Sequence, residues 1–139
     1  MLETNQYVRC VLIDFSKAFD TVNHVILARE LFGLKVPVFI IQWIMSFLMN
    51  CSQAIKFGFH LSSMLPIKRS IAQGSGKGVG LTLFIMFAHD LKPLDILNYL
   101  FKYADDATLL SSQRSKTTVE LEMTHVMNWA VENKMSEFA

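Results

Sequence analysis

Two short strand-like segments, 98–104 and 107–112, are separated only by the pair Asp105-Asp106. Both segments are rich in the β-branched, aromatic and other apolar residues that favour strands. A connection this short joins strands that run antiparallel to each other. The sequence therefore predicts an antiparallel hairpin with both carboxylates at its tip.

The rest of the chain contains one further strand, a second hairpin and four helices. The strand covers residues 7–13 and delivers Asp14 at its end. The other predictions are a helix over 24–32 capped by Asn23 and stopped by Gly33, a helix from Pro37 to about residue 50, and strands over 52–59 and 61–69. The glycine-rich segment 74–80 is predicted to be a loop, followed by an apolar helix to about Leu91, and a last helix has capping-box spacing at Thr117 and Glu120. This order favours an α+β fold, with helices on one face of an antiparallel sheet.

Length and charge restrict the class of protein. A chain of 139 residues with 52% hydrophobic residues supports one domain with a packed core. Its formal charge of +1 is too small to indicate a nucleic-acid-binding protein by electrostatics alone. The two cysteines, Cys10 and Cys51, do not suggest a disulfide framework.

The sequence shows no membrane or export signal. The N-terminal residues lack a basic segment followed by an apolar one, so we expect a protein that is intracellular and not secreted. The most apolar run, residues 36–49, is shorter than the roughly 20 residues that span a bilayer. We interpret this run as a buried helix and expect no membrane partner.

Three carboxylates stand at predicted strand ends. Asp14 follows the first strand, and Asp105 and Asp106 join the strands of the hairpin. Carboxylates are the ligands that magnesium prefers, and two ions held together can activate a hydroxyl and stabilise a leaving phosphate. The simpler alternative is that Asp105-Asp106 only forms a polar turn.

Three segments around these acids resemble the reverse transcriptases of non-long-terminal-repeat retrotransposons. Residues 12–24 (LIDFSKAFDTVNH) resemble motif A of that family, residues 72–75 (AQGS) resemble motif B, and residues 103–106 (YADD) resemble motif C. The three segments follow one another in the order of the family. The resemblance covers nearly the whole chain.

The resemblance implies an RNA-directed DNA polymerase that adds deoxynucleotides (dNTPs) to a primer 3′-hydroxyl. Residues 1–139 would form the palm of its right-hand fold with part of the fingers, while the N-terminal fingers and the C-terminal thumb would be missing. The implied partners are an RNA template, a DNA primer, dNTPs and the missing segments. Because the fragment is incomplete, we expect little or no activity from it in isolation.

The same resemblance assigns roles to individual residues. Asp14, Asp105 and Asp106 would be catalytic and would hold two Mg²⁺ ions, for which Mn²⁺ is a possible substitute. The Phe15 carbonyl would add a ligand.

Other matched residues would contact the substrates. Phe19 would lie under the incoming sugar and exclude a 2′-hydroxyl, although core packing is the ordinary role of a phenylalanine. Gln73 and Gly74 would contact the incoming nucleotide. Tyr103 would lie near the primer end, although aromatic residues are common in strands in any case.

Two other functions remain open at this point. A retroelement fragment that has lost its chemistry could serve as an interaction module, since a fold does not dictate a function. A metal-dependent nuclease would also use paired ions, but it would leave Phe19, Gln73 and Gly74 without a role.

Overall fold

The computed structural model describes residues 3, 5–49, 51–71 and 78–135. Gln73 and Gly74 lie outside these residues. The elements are β1 (Val8–Asp14), α1 (Ala18–Thr21), α2 (His24–Gly33), α3 (Val38–Met49), β2 (Ser52–Gln53), β3 (Lys56–Phe57), β4 (His60–Leu61), β5 (Leu65–Pro66), α4 (Val79–Phe87), β6 (Tyr99–Tyr103), β7 (Asp106–Ser112) and α5 (Val119–Glu132).

Strands β1, β7 and β6 form an antiparallel sheet with β7 in the centre. Successive side chains of a strand point to opposite faces, so the burial along β7 alternates, with Ala107 and Leu109 buried. Their partners on β1 are Ile13 and Val11, which face the same core. This arrangement confirms the predicted α+β fold with an antiparallel sheet.

The helices cover one face of this sheet. Trp129 of α5 contacts Phe15 and Phe87, with ring centroids 6.0 Å apart in each pair. Its indole N–H donates a hydrogen bond to Asp90 at 2.9 Å. The aromatic layer therefore fixes α4 and α5 on the side of the sheet that carries Ala107 and Leu109.

The end of α2 differs from the prediction, whereas its start agrees with it. Helix α2 includes Gly33, and Lys35 takes the left-handed conformation after it, with φ 58°. The N–H of Val36 reaches back to the Leu31 carbonyl, so the end is closed by backbone bonds without a glycine. Asn23 caps the start of α2 as predicted, accepting two backbone N–H groups.

The predicted capping box of α5 was shifted by one residue. Thr118 is the cap, and its hydroxyl accepts the Leu121 N–H. Thr117 instead donates to Glu122 at 2.7 Å. Because the Thr117 hydroxyl bonds the buried Glu122 carboxylate, Thr118 takes the capping position.

Glu122 joins α5 to the loop before β6. Its side chain is 0% exposed and also accepts the N–H groups of Leu94 and Asp95 and the Asn98 amide. Burial raises the pKa of Glu122, but these hydrogen bonds outweigh it and hold the pKa below its ordinary value of 4.5. The carboxylate therefore stays ionised inside the fold.

Helix α3 is not the buried helix that its composition predicted. Only Ile41, Ile44 and Leu48 are buried. Trp43 is 64% exposed and stacks on Phe47 along the outer side. Composition measures how apolar a helix is, whereas burial requires another element to pack on each side. Among the described residues, no element covers the outer side of α3.

Two remaining predictions of elements concern the chain between α3 and β6. The strands predicted over 52–59 and 61–69 form two short ladders, β2 with β5 and β3 with β4. Helix α4 ends at Phe87, before the predicted Leu91.

Cys10 and Cys51 are free thiols. In the described part of the chain, no helix combines the length and apolar character needed to cross a bilayer.

Candidate active site

The sheet brings together two acids that are far apart in the sequence. Asp14 at the end of β1 is the direct partner of Asp106 at the start of β7. Neighbouring strands lie about 4.7–4.9 Å apart, and directly opposed residues share a face. The N–H of Phe15 donates to the Asp105 carbonyl at 3.3 Å, which ties the end of β1 to the hairpin turn. The three predicted acids therefore lie in one region.

The hairpin turn lies one residue earlier than predicted. Tyr103 and Asp106 close the ladder, so the turn consists of Ala104 and Asp105, and Asp106 belongs to β7. Ala104 has φ 53°, a left-handed conformation that residues other than glycine seldom adopt. No glycine or asparagine marks this position, and the sequence pattern therefore did not reveal the turn. The consequence is that Asp106, and not Asp105, faces Asp14.

Both opposed carboxylates are exposed. They line a shallow depression of about 360 Å³ together with Leu12, Ala107 and Thr108. Like charges directly opposite each other across a ladder are unfavourable. The exposed pair is thus accessible to a cation that would relieve this repulsion.

The side chains beside the acids on the open face are apolar and exposed. Leu12 and Phe101 flank Thr108 in the next row of the sheet, and Tyr103 flanks Asp106 in the same row as Asp14. Tyr103 is accessible to a molecule bound at the acids. Its predicted role at the primer end stays a prediction.

Phe15 and Phe19 lie in the core. Phe15 is buried, and its carbonyl accepts the Ala18 N–H at 3.2 Å. Phe19 is 8% exposed and packs on Phe84 with ring centroids 5.0 Å apart. The ordinary packing role therefore applies to both rings, and their nucleotide-binding roles stay predictions.

Gln73 and Gly74, which complete the predicted nucleotide-binding set, lie outside the described residues. The chain leading to them is held beside motif A. The N–H of Ile71 donates to the Phe19 carbonyl at 2.8 Å.

Sequence reasoning missed Lys102, which lies behind the hairpin. Its ammonium group donates to the Ala88 carbonyl at 2.5 Å and to the Leu91 carbonyl at 2.9 Å. These carbonyls belong to the turn that ends α4, where a positive charge is favourable. Burial lowers the pKa of Lys102, and the nearby Asp90 carboxylate opposes this effect. The sequence feature that could have indicated this role is the presence of a lysine within the otherwise apolar strand YLFKY.

Lys102 also lines a cavity of about 210 Å³ between α4 and the hairpin, next to Ala104 and Asp106. It connects the end of α4 with the strand that leads into the turn. Lys102 is therefore a residue that positions the hairpin.

A tighter cluster of potential metal ligands lies elsewhere. Among the described residues, Glu30, His89 and Asp90 form the one group of three whose ligand atoms all lie within 4.8 Å of one another. Each of these side chains already bonds another group of the chain: Arg29 donates to Glu30, His89 bonds the Met86 carbonyl and Trp129 donates to Asp90. We interpret the cluster as structural. Asp14, Asp105 and Asp106 are more widely spread, so sharing an ion requires their side chains to turn toward one another.

A comparison with protein families agrees with the geometry. The family model described as reverse transcriptase (RNA-dependent DNA polymerase) matches residues 1–136. No curated protein gives a significant match.

Proposed function

Because the chain belongs to the reverse transcriptase (RNA-dependent DNA polymerase) family, we propose that Asp14, Asp105 and Asp106 form its nucleotidyl-transfer site. The observation that carries the proposal is the direct pairing of Asp14 with Asp106 beside the turn that contains Asp105. The reaction is the attack of a primer 3′-hydroxyl on a dNTP, with release of pyrophosphate. An RNA strand is the template.

The donor chemistry fits divalent magnesium. Three carboxylates supply hard oxygen ligands, and the opposed pair is exposed to incoming substrate. Asp14 and Asp106 would hold the ions from two adjacent strands, and Asp105 would hold them from the turn. Two Mg²⁺ ions, or Mn²⁺ as a substitute, would lower the pKa of the primer hydroxyl and stabilise the leaving pyrophosphate when bound.

The neighbouring residues orient the substrates in this proposal. Phe19, in the short helix that follows β1, packs on Phe84, and the edge of this buried ring would have to reach the sugar to exclude a 2′-hydroxyl. Tyr103 lies beside Asp106 at the open face and would contact the primer end. Gln73 and Gly74 would contact the incoming nucleotide.

The finer assignment to retrotransposons without long terminal repeats is also a proposal, and the residues of the three motifs support it. So is the description of residues 1–139 as a palm with part of the fingers. We expect weak or no elongation by the isolated chain, because its net charge of +1 leaves few phosphate contacts for template and primer.

Ion binding tests the site independently of elongation. Broadening of proton resonances by Mn²⁺ at about 1 mM should be localised to the hairpin tip in the wild-type chain and absent in Asp14→Asn and Asp106→Asn. Asp20→Asn removes another exposed acid as a matched control and should keep the broadening. Wild-type protein that binds no ion would overturn the proposal and favour the non-catalytic interaction module.

A primer-extension assay on an RNA template, with dNTPs and Mg²⁺, measures the reaction itself. Robust elongation that is lost in Asp105→Asn would support the site and contradict the expected inactivity of the isolated chain. Cleavage of the template without extension would favour the nuclease alternative.

A further inference from the structure

The two short ladders between α3 and α4 form one continuous ribbon, residues 51–67. Its base is closed by the Ile67 N–H on the Cys51 carbonyl, and its middle by the Ser62 N–H on the Ile55 carbonyl, both at 2.9 Å. The tip is a two-residue turn at Gly58-Phe59, where Gly58 has φ 58°. We call this element the β2–β5 ribbon.

The β2–β5 ribbon carries uncovered aromatic side chains. Phe57 is 85% exposed and Phe59, at the tip, is fully exposed. All described residues of the ribbon between its two ends are exposed. Isolated two-stranded ribbons are marginally stable in water. Ile55, Leu61, Met64 and Leu65 are also exposed, and exposed hydrophobic patches are typical of surfaces that bind another molecule.

The segment of the chain that contains the ribbon carries charge of one sign. Residues 31–89 contain no Asp or Glu, whereas they contain five Lys or Arg residues; the remaining residues hold all twelve acids. Lys56, Lys68 and Arg69 are exposed and form no ion pair with other described residues. Although the net charge is only +1, the acids and bases are strongly separated along the chain. The ribbon lies in the part without acids.

The segment that leaves the ribbon is anchored to the residues between α1 and α2. Arg69 forms a β-bridge with Asn23, and the Ser70 N–H donates to the Val22 carbonyl at 3.2 Å. His24 bonds the Ser70 carbonyl through Nε2 at 2.9 Å. The segment that leaves the ribbon thus runs along the residues that follow Asp14 and α1.

We propose that the β2–β5 ribbon binds single-stranded nucleic acid, with bases stacked on Phe57 and Phe59 and phosphates held by Lys68 and Arg69, which directly follow its base. Aromatic stacking beside a cationic surface is the general way in which proteins bind single strands without reading their sequence. The identification of the strand as the template rests on the proposed function. Binding by the ribbon itself needs no metal ion.

Fluorescence anisotropy with a labelled RNA strand of about 20 nucleotides tests this proposal, since such surfaces cover about 4–16 nucleotides. The full chain is titrated in EDTA at several salt concentrations. Phe57→Ala/Phe59→Ala should weaken binding about 10-fold or more without changing the salt dependence. Lys68→Gln/Arg69→Gln should reduce the slope of log affinity against log salt by about 1.4, since each phosphate contact contributes about 0.7.

Two matched controls separate the ribbon from general surface effects. Arg114→Gln/Lys116→Gln removes two exposed cations, and Phe32→Ala removes an exposed aromatic ring, both outside the ribbon. Neither control should change affinity more than about twofold. Circular dichroism should show that the ribbon variants keep their fold, because the substituted side chains are exposed.

Three results would overturn the proposal: no binding of RNA by the wild-type chain, wild-type affinity in the Phe57/Phe59 variant, or equal losses in the controls. Stronger binding to vesicles of phosphatidylcholine and phosphatidylserine in equal parts than to RNA would assign the surface to a membrane instead. Because the titration contains EDTA, its outcome is independent of the ion-binding test of the aspartates. If one proposal fails its test, the other is still decided by its own measurement.

Discussion

Replacing Asp14 by asparagine should make the metal-free protein more stable. Asp14 faces Asp106 across the ladder, and both carboxylates are exposed. Two charges about 5 Å apart in water repel by about 0.8 kcal/mol, which agrees with the roughly 0.2–1 kcal/mol measured for cross-strand pairs. Asparagine keeps the shape of the side chain and removes one charge. The expected gain is thus about 0.2–1 kcal/mol.

The same substitution should remove the response to metal. At a free ion concentration of ten times Kd, binding to the folded state stabilises wild-type protein by about 1.4 kcal/mol. For a chain of this length, 1 kcal/mol corresponds to roughly 3–4 °C in Tm. Without metal, Asp14→Asn should therefore melt about 1–4 °C above wild type. With Mn²⁺, wild type should rise by about 5 °C and the variant by much less.

Differential scanning calorimetry in EDTA and then in Mn²⁺ measures both effects. Asp20→Asn is the control, because Asp20 is an exposed acid without an acid opposite it in the sheet. It should keep the wild-type metal response and show no comparable gain in EDTA. An Asp14→Asn protein that is less stable than wild type in EDTA, or that responds fully to Mn²⁺, would contradict a repulsive, metal-binding pair at Asp14 and Asp106.

The hydrogen bonds outside the site lead to further predictions. Glu122→Gln places an amide against buried donors and should lower the free energy of unfolding by about 2–4 kcal/mol in urea titrations at pH 7; a loss under about 0.5 kcal/mol would contradict the network. Because the folded-state pKa of Glu122 is lowered, its contribution is complete above the unfolded-state value of 4.5 and is lost as the pH falls through the folded value, so wild type should lose more stability than the variant below about pH 4.5. Lys102→Met keeps the aliphatic stem but leaves the Ala88 and Leu91 carbonyls without their donor, and it should cost about 1–3 kcal/mol by thermal unfolding, whereas an unchanged Tm would exclude a positioning role. Asn23→Ala should cost about 1 kcal/mol in urea and Asn23→Asp much less, since aspartate also caps helices; equal losses would contradict the cap.

Local patterns predicted most of the elements. The strand before Asp14, the two strands around Asp105 and the cap at Asn23 depend on residues close to each other in the sequence, and each was recognised. Several of the errors fall where distant contacts decide. Thr117 was expected to cap α5, but the buried Glu122 carboxylate takes its hydroxyl.

The candidate site was predicted in part for the same reason. Three acids at strand ends could be identified from the sequence, and the motif resemblance agrees with the family match. The role of Lys102 could not be identified, because its partners are carbonyls at the end of another element. The exposure of α3 was also unpredictable, since it depends on what packs against the helix.

Neighbouring residues govern strand formation and turns, and local sequence was therefore sufficient to predict that carboxylates would end the strands. Which of the two carboxylates stands opposite Asp14 depends on the pairing of distant strands, and this pairing places Asp106 there and not Asp105. The left-handed backbone at Ala104 sets the turn, and the turn sets the register of every pair between β6 and β7. A shift of one residue reverses the face to which a side chain points, so the register of β1 against β7 selects the carboxylate that meets Asp14.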